Sequence, residues 1–341
     1  MEYRFVGKSG LKVSTLALGT MTFGGGGDEK FAKIGNVDET DVRRMVDHAI
    51  DHGVTLFDTS DNYAQGQSEI LLGRALGARR RNLVVASKVF GRTGPGEHDI
   101  GLSRRHIIEA CENSLRRLGT DWIDLYQIHN HDSLVPVEET LRALDDLVRA
   151  GKVRYIGCSN HFAWQVVKAL GVSAEMGLER FVSQQILYSL VYRQSEQELI
   201  PAAMDRGLGT LVYSPLAQGY LSGKFQEGST DGRLTATRQL EGVDTRHAQS
   251  IVGELSRIRE EGRSARTHSQ LALRWLIDRP GVTSVIVGAR SPAQLADNLG
   301  AAAIDLSADE RAALDRVSAS PAWYPHTAQR VFHRERNPGI V

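Results

Sequence analysis

Three side chains of types that suit proton and hydride transfer each follow a short apolar run. Asp58 ends TLFD, Lys88 ends LVVASK and His129 ends DLYQIH, while Tyr63 lies five residues after the aspartate in DTSDNY. Each run is followed by a polar loop and then a helical pattern, which is typical of strands in a parallel sheet. The carboxyl ends of the strands meet at one face of a parallel β/α barrel. The four side chains are therefore predicted to surround one pocket.

Together these residue types fit a site that donates a proton to an oxygen. A lysine cation stabilises a phenolate, so Lys88 is predicted to lower the pKa of Tyr63 from its ordinary value of about 10. Asp58 would fix the lysine, and His129 would orient a substrate carbonyl or share the proton. Tyr63 would then act as a general acid. A hydride for the carbon would have to come from a bound cofactor.

The composition favours a globular protein that binds neither nucleic acid nor membrane. The 341 residues include 41 basic and 41 acidic ones, and no basic stripe with interleaved aromatics is present. No apolar run reaches the ~18 residues that a membrane span needs. The start MEYRFVGKSG is charged, and two cysteines are too few for a disulfide framework. We expect a cytoplasmic protein, and no pattern indicates its oligomeric state.

Strand and helix patterns alternate from end to end, after an N-terminal hairpin formed by Tyr3–Phe5 and Lys12–Ser14. The predicted barrel strands are 16–19, 54–58, 83–88, 123–129, 153–158, 181–186, 208–213 and 284–287. The predicted helices are 41–52, 68–76, 103–118, 137–150, 163–170, 196–206, 267–278 and 292–299. Eight strands alternating with helices predict an α/β protein, a single (β/α)8 TIM barrel domain over residues 1–341.

Two segments interrupt this rhythm. Residues 217–266 form a stretch of about fifty residues between strand seven and its helix. Loops of that length are usually functional, so we expect a long loop that covers the cofactor. Residues from about 320 to 341 form a C-terminal tail, and its Trp323 and Tyr324 are candidates for contact with the substrate.

A nicotinamide cofactor would not be held in the Rossmann manner, because no Gly-x-Gly-x-x-Gly follows a strand and opens a helix. The candidate contacts lie on strands five to eight instead. They are Ser159, Asn160, Gln185, the Tyr213 ring, and Gly288, Arg290, Gln294 and Asn298 of VGARSPAQLADN. The last four surround a helix start, where backbone donors and an arginine favour a phosphate.

The chain resembles the aldo-keto reductases. The resembling motifs are GLKVSTLALGTMTFG, DTSDNYAQGQSE, ASK, DLYQIH, RYIGCSN, SQQILYSL, YSPLAQGYLSGK and VGARSPAQLADN. They follow the family order from about residue 3 to residue 300, and their combination is highly specific. The resemblance implies NADPH-dependent reduction of an aldehyde or ketone to an alcohol, reversibly, on a (β/α)8 barrel.

The family pattern also implies roles for individual residues. It implies a catalytic tetrad of Asp58, Tyr63, Lys88 and His129, and an extended NADP(H), with NAD(H) as the less favoured cofactor. The implied cofactor contacts are Thr20, Met21, Asp58, Ser159, Asn160, Gln185, Tyr213, Ser214, Leu216, Lys224, Gly288, Arg290, Gln294, Asp297 and Asn298. The partner is a small-molecule carbonyl or alcohol, which the sequence does not identify.

Three departures from the family pattern affect these expectations. Gly288 and Ala289 stand where many members have a Lys-Ser pair for the 2′-phosphate, so Arg290 must contribute more. Asn130, after the histidine, replaces a larger residue of many relatives, which is expected to alter the substrate pocket. The loop 24–37 is longer than in many relatives.

Three other functions remain open. His129, His131, Asp132 and His161 could suggest a metal-dependent hydrolase, but strands six to eight end in poor ligands. Lys88 could form a Schiff base as in barrel aldolases, although this leaves the cofactor candidates unexplained. A non-catalytic, NADP(H)-sensing auxiliary subunit is the third alternative, and an intact tetrad does not exclude it.

Overall fold

Eight parallel strands form a closed barrel in the computed structural model, which describes residues 1–25, 29–224, 243–262 and 265–336. The strands are β1 (Tyr3–Phe5), β2 (Lys12–Ser14), β3 (Leu16–Gly19), β4 (Leu56–Asp58), β5 (Val84–Val89), β6 (Ile123–Ile128), β7 (Val153–Ser159), β8 (Phe181–Leu187), β9 (Gly209–Tyr213) and β10 (Val282–Val287). In the barrel β3 to β9 pair in chain order, and β10 pairs with both β9 and β3. The predicted (β/α)8 barrel is confirmed.

Most of the helices pack around the outside of the barrel, and the first of them lies at the end where the strands finish. Their bounds are Glu29–Ile34, Glu39–Asp51, Gln67–Leu76, Arg104–Leu118, Val137–Arg149, Ala163–Met176, Leu199–Arg206, Thr245–Glu261, His268–Ile277, Pro292–Leu299, Ala308–Val317 and His326–Arg336. Ser103 caps its helix by accepting a hydrogen bond from the backbone N of His106. None of the helices in the described ranges has the length and apolar character that a membrane crossing requires.

The N-terminal hairpin of β1 and β2 lies at the end of the barrel where the strands begin. Lys8 N donates to Gly207 O at 2.9 Å, and Arg4 donates to Val282 O at 2.8 Å. Gly7 has a φ of +58°, and a Cβ there would lie 2.3 Å from Gly207 O. Only glycine allows this close approach. The hairpin thus lies at one end of the barrel, and the opposite end is available for the site.

The alternation of strand side chains places an apolar layer beneath a polar one inside the barrel. Leu56, Ala86 and Leu125 are fully buried and belong to one inner cluster. Successive side chains point to opposite faces, so the residue two positions further along each strand points inward as well. Those residues are Asp58, Lys88 and Gln127. The same register therefore supplies the apolar floor and the polar groups above it.

The prediction of a long loop over residues 217–266 is wrong for part of that segment. A 3-10 turn spans Ala217–Ser222 and a 17-residue helix spans Thr245–Glu261, whereas 225–242 and 263–264 lie outside the described residues. Ala248, Ile251 and Leu255 bury one face of this helix, which we call the covering helix. That spacing is an amphipathic signal.

The chain after residue 300 is also more helical than predicted. Ala308–Val317 packs against the covering helix, and His326–Arg336 lies within the predicted tail. Ser307 and Glu310 form a capping box at the start of the first of these helices. The helix 163–170 of the sequence analysis extends to Met176.

Candidate active site

The centre of the site is a buried ammonium group with three acceptors. Lys88 Nζ donates to Asp58 Oδ1 at 2.5 Å, to the Thr59 carbonyl at 2.8 Å and to the Tyr63 hydroxyl at 3.2 Å. An ammonium has three donor hydrogens, so these contacts account for all of them. The Tyr63 oxygen accepts from Lys88, and its own proton is therefore directed elsewhere.

Lys88 remains charged although no part of it is exposed. Burial alone lowers its pKa, but the electrostatic attraction of Asp58 and of the Tyr63 oxygen, with the hydrogen bonds to both, outweighs burial and raises the pKa above its usual value. A cation held at this point stabilises negative charge on the neighbouring phenol oxygen. The predicted association of Asp58, Lys88 and Tyr63 is present in the structure.

Two glutamines complete the surroundings of the aspartate. Asp58 Oδ2 accepts from Gln185 Nε2 at 2.8 Å and from Gln127 Nε2 at 3.2 Å. Gln127 is fully buried and was not predicted as a site residue. Its position was readable from the sequence, since it precedes His129 by two residues on an inward-facing register. These two donors, together with Lys88, hold the carboxylate in a fixed position.

His129 is a neutral group beside the tyrosine. Its ring centroid lies 5.9 Å from that of Tyr63, at an interplanar angle of 72°. Burial, and then the charge of Lys88, lower the pKa of His129 to about 3. Ser60 Oγ lies 3.2 Å from its Nδ1, which fixes the plane of the ring. At neutral pH the imidazole can form hydrogen bonds, but it adds no charge.

A cavity of about 920 Å³ opens above these groups, at the end of the barrel where the strands finish. Asp58, Tyr63 and His129 line it, and Lys88 lies beneath them. Every predicted cofactor residue lies on its surface. These are Thr20, Met21, Asp58, Ser159, Asn160, Gln185, Tyr213, Ser214, Leu216, Lys224, Gly288, Arg290, Gln294, Asp297 and Asn298. The cavity therefore brings the predicted catalytic and cofactor residues into one site.

A set of hydrogen bonds connects the residues between the tetrad and β9. Asn160 donates from Nδ2 to the His129 carbonyl at 3.0 Å and accepts from the Tyr213 hydroxyl at 2.8 Å. Ser159 Oγ donates to the Gln185 carbonyl at 3.0 Å. Burial raises the pKa of Tyr213 to about 12, so its hydroxyl stays a donor. Asn160 and Ser214 have positive φ values of 55° and 51°, which marks sharp turns directly after β7 and β9.

Cationic side chains collect at the far end of the cavity, after β9 and β10. Lys224 and Arg290 were predicted, whereas Arg259 of the covering helix and Arg266 were missed. Arg266 forms an ion pair with Glu310, with an N–O distance of 2.5 Å, that joins the segment to the helix Ala308–Val317. For Arg259, the signal lay in the amphipathic pattern of the covering helix.

Asp297, one of the implied cofactor contacts, is anchored to neighbouring structure. Its carboxylate accepts from Thr267 Oγ1 and from Gln270 Nε2, each at 3.1 Å. Thr267 and Gln270 also form the capping box of the helix His268–Ile277. Asp297 therefore joins two helices at the wall of the cavity.

Trp323 and Tyr324 lie away from the cavity and do not contact the candidate active site. Trp323 N donates to Gln197 Oε1 at 3.4 Å, and Tyr324 is 87% exposed. Within the described ranges, no three His, Cys, Asp or Glu side chains come together as a metal site. His131 and His161 form an edge-to-face pair, with ring centroids 5.4 Å apart.

Comparison with known proteins agrees with this geometry. The Aldo/keto reductase family model matches residues 15–319. A protein of Bacillus subtilis named as the uncharacterized oxidoreductase YrpG is 36% identical over 332 residues, covering 94% of this chain and 97% of its own. The chain belongs to the aldo/keto reductase family and is an NAD(P)H-dependent oxidoreductase.

Two other relatives have a different kind of name. A probable voltage-gated potassium channel subunit beta of Arabidopsis thaliana is 36% identical over 315 residues, covering 88% of this chain and 91% of its own. A putative subunit of the same type from Schizosaccharomyces pombe is 35% identical over 313 residues, covering 88% of each chain. Both are similar to this chain over nearly the whole barrel.

Proposed function

We propose that this protein reduces an aldehyde or ketone to an alcohol with NADPH, and that Tyr63 donates the proton. The observation that favours this most is the ammonium of Lys88, which donates to both Asp58 and Tyr63. Because the tyrosine oxygen accepts from a cation, negative charge on that oxygen is stabilised when its proton leaves. The site thus favours proton transfer from Tyr63 to a carbonyl oxygen.

The cavity residues fit a dinucleotide phosphate. Ser159, Asn160 and Gln185 would hold the nicotinamide amide, and the ring of Tyr213 would stack on the nicotinamide. Lys224 and Arg290 would hold the phosphates at the opposite end. When bound, the reduced nicotinamide supplies a hydride to the carbonyl carbon. The cationic far end supports NADPH over NADH, since the 2′-phosphate adds negative charge.

His129 would orient the carbonyl in this scheme. Its ring lies beside the Tyr63 ring and is held by Ser60. A neutral imidazole forms a hydrogen bond to substrate without competing with Tyr63 as a proton donor. Asp58 does not touch the substrate in this proposal. It positions Lys88, and Gln127 positions Asp58 in turn.

Tyr63→Phe tests the proposed function. It removes the phenolic proton and keeps the ring, so we expect the turnover of aldehydes to fall by ~10²–10⁴-fold. NADPH affinity, measured by fluorescence titration, should stay nearly unchanged. Tyr188→Phe is a matched control, because this buried tyrosine bonds to Glu196 and does not line the cavity. A Tyr63→Phe variant with the wild-type kcat would contradict the proposal.

A second candidate function is an NADP(H)-sensing auxiliary subunit. Similarity to the two proteins named as potassium channel beta subunits favours it. The same titration and turnover assays separate the two functions. An auxiliary subunit would bind NADPH and show no Tyr63-dependent turnover, whereas an enzyme would show both.

A further inference from the structure

The wall of the cavity beside Tyr63 is made of apolar side chains from one short helix. We call Glu29–Ile34 the pocket helix. Its Phe31 and Ile34 line the cavity and are 7% and 8% exposed. The Phe31 ring centroid lies 6.4 Å from that of Tyr63. Met21 and Tyr63 pack against the same small cluster. A substrate whose carbonyl reaches Tyr63 therefore places its substituent next to this wall.

Contacts at its base hold the pocket helix in place. Phe23 and Val37 form a parallel bridge, and Val37 N donates to Thr22 O at 3.0 Å. The side chain of Thr22 donates to the Ala289 carbonyl at 2.7 Å, which ties the loop to the segment after β10. A Cβ on Gly35 would lie 2.6 Å from the Cβ of Thr22, so the two strands of the loop are in close contact. The apolar wall is thus part of the fixed frame of the site.

Charge is distributed unevenly around the cavity. Apart from His129 and His268, the acidic and basic residues among the described lining are Asp58, Lys224, Arg259, Arg266, Arg290 and Asp297. Asp58 is paired with Lys88. The other five follow β9 or β10, where the proposed function places the cofactor phosphates. The described lining residues of the pocket helix and of the loop after β4 are Phe31, Ile34, Asn62 and Tyr63, and none of them is an acidic or basic side chain that could pair with a charged substrate.

We infer that the substrate is an uncharged carbonyl compound with an apolar, preferably aromatic, substituent that packs against Phe31 and Ile34. This rests on the proposed function. Burying an unpaired carboxylate or phosphate next to an apolar wall is costly, whereas burying an apolar group there is favourable. An aromatic substituent gains further from edge or offset contact with the Phe31 ring. Sugar phosphates and carboxylated aldehydes are therefore poor substrates.

A matched pair of aldehydes tests the role of charge. 4-Isopropylbenzaldehyde and 4-carboxybenzaldehyde have nearly the same shape and differ in charge. The alkyl group donates electrons to the ring, so intrinsic reactivity does not favour the isopropyl compound. We expect its kcat/KM, followed by NADPH consumption, to exceed that of the carboxylate by at least tenfold. An equal or higher value for the carboxylate would overturn the inference.

Variants of Phe31 test the wall itself. Phe31→Ala should lower kcat/KM for 4-isopropylbenzaldehyde roughly five- to tenfold and change that for propanal by less than twofold. Phe31→Arg should raise kcat/KM for 4-carboxybenzaldehyde and so reduce the preference for 4-isopropylbenzaldehyde. Unfolding cannot produce such a gain. Phe5→Ala is the control, since this exposed phenylalanine belongs to the hairpin at the other end of the barrel. Equal losses for propanal and the aromatic aldehyde would contradict the inference.

The outcomes also separate this inference from the function on which it depends. Tyr63-dependent reduction of both benzaldehydes without a charge preference would remove the inference alone. If none of these aldehydes is reduced, or if reduction survives Tyr63→Phe, the proposed function fails and the inference fails with it.

Discussion

The tetrad and the far end of the cavity are built in different ways. Lys88 and Asp58 are 0% and 3% exposed, and strands hold them on one inward register. Arg290 and Gln294 are exposed and lie on the turn after β10 and on the helix that follows it. The tetrad therefore has little freedom to move, whereas the far end is shaped by segments that meet from distant parts of the chain.

This difference separates two tasks. A group that transfers a proton must be positioned within a fraction of an ångström, and rigid strand ends provide such precision. A group that holds a phosphate acts through its charge and can tolerate freedom of movement, as a lysine on its flexible stem does. Substitutions in the tetrad should accordingly affect both rate and stability. Those at the far end should affect affinity alone.

Lys88→Met gives the largest expected effect and tests the coupling of rate and stability at the tetrad. Without the ammonium, Asp58 is a buried carboxylate that has lost its ion-pair partner. We expect a loss of about 3–5 kcal/mol in the free energy of unfolding and a ~10²–10⁴-fold loss of turnover. Urea denaturation and NADPH consumption measure the two effects.

A double variant separates the two losses. Asp58→Asn in the Lys88→Met background removes the unpaired charge, so stability should be largely restored while turnover stays low. Restoration of both would mean that the lysine acts on folding and not on Tyr63. Borohydride treatment with substrate should leave no adduct on Lys88. An adduct found by mass spectrometry would favour the Schiff-base alternative.

The sequence predicted the tetrad well because its information is local. Asp58 and Lys88 each end an apolar run, and the barrel geometry then brings these ends together. Gln127 was missed because its place on the inward-facing side of the strand, two residues before His129, was not considered. The covering helix was missed although Ile251, Leu255 and Ile258 mark one helical face. Its helical pattern was overlooked because the segment 217–266 was interpreted only by its length.

Contacts between segments that are distant along the chain could not be predicted from the sequence. No local pattern indicates that Phe31 lies against Tyr63, since the two are brought together by the bridge at Phe23 and Val37. Arg266 was missed for a similar reason, because its partner Glu310 is 44 residues away. Such pairings depend on how helices pack on the barrel.

The titration of His129 tests, by a thermodynamic measurement, how far the tetrad is buried. Burial, and then Lys88, lower its pKa to about 3 in the folded protein, whereas an unfolded histidine titrates near 6.5. The unfolded state therefore binds a proton that the folded state does not, and stability is lost as the pH falls below 6.5. Between pH 7 and pH 5 this loss is about 2 kcal/mol.

A variant isolates this contribution from other titrating groups. Asp61, with a pKa raised by burial to about 8, changes stability in the opposite sense over the same range. His129→Gln removes only the histidine, so its stability relative to wild type should rise by about 2 kcal/mol between pH 7 and pH 5. A difference that does not change with pH would show that the pKa of His129 in the folded protein stays close to that of an unfolded histidine. Urea denaturation at both pH values provides the measurement.

Arg290→Ala tests the other side of the comparison, where affinity should change without stability. Arg290 lies just before the helix Pro292–Leu299, and its backbone N donates to Gln294 Oε1 at 2.9 Å. Loss of an arginine–phosphate contact should weaken NADPH binding roughly tenfold or more. NADH binding, which involves no 2′-phosphate, should stay almost unchanged. Fluorescence titration of both cofactors measures the effect.

A control variant and two contrary outcomes test whether the tetrad and the far end of the cavity differ in this way. Arg105→Ala, at an exposed position outside the cavity, should alter neither affinity. Equal weakening of NADH binding and NADPH binding would mean that Arg290 contacts a part that both cofactors share. The proposed preference for NADPH would then lose its basis. A fall in unfolding free energy as large as that of Lys88→Met would contradict the division itself. Because Arg290 is exposed, its removal leaves no buried charge, so we expect a change within about 0.5 kcal/mol.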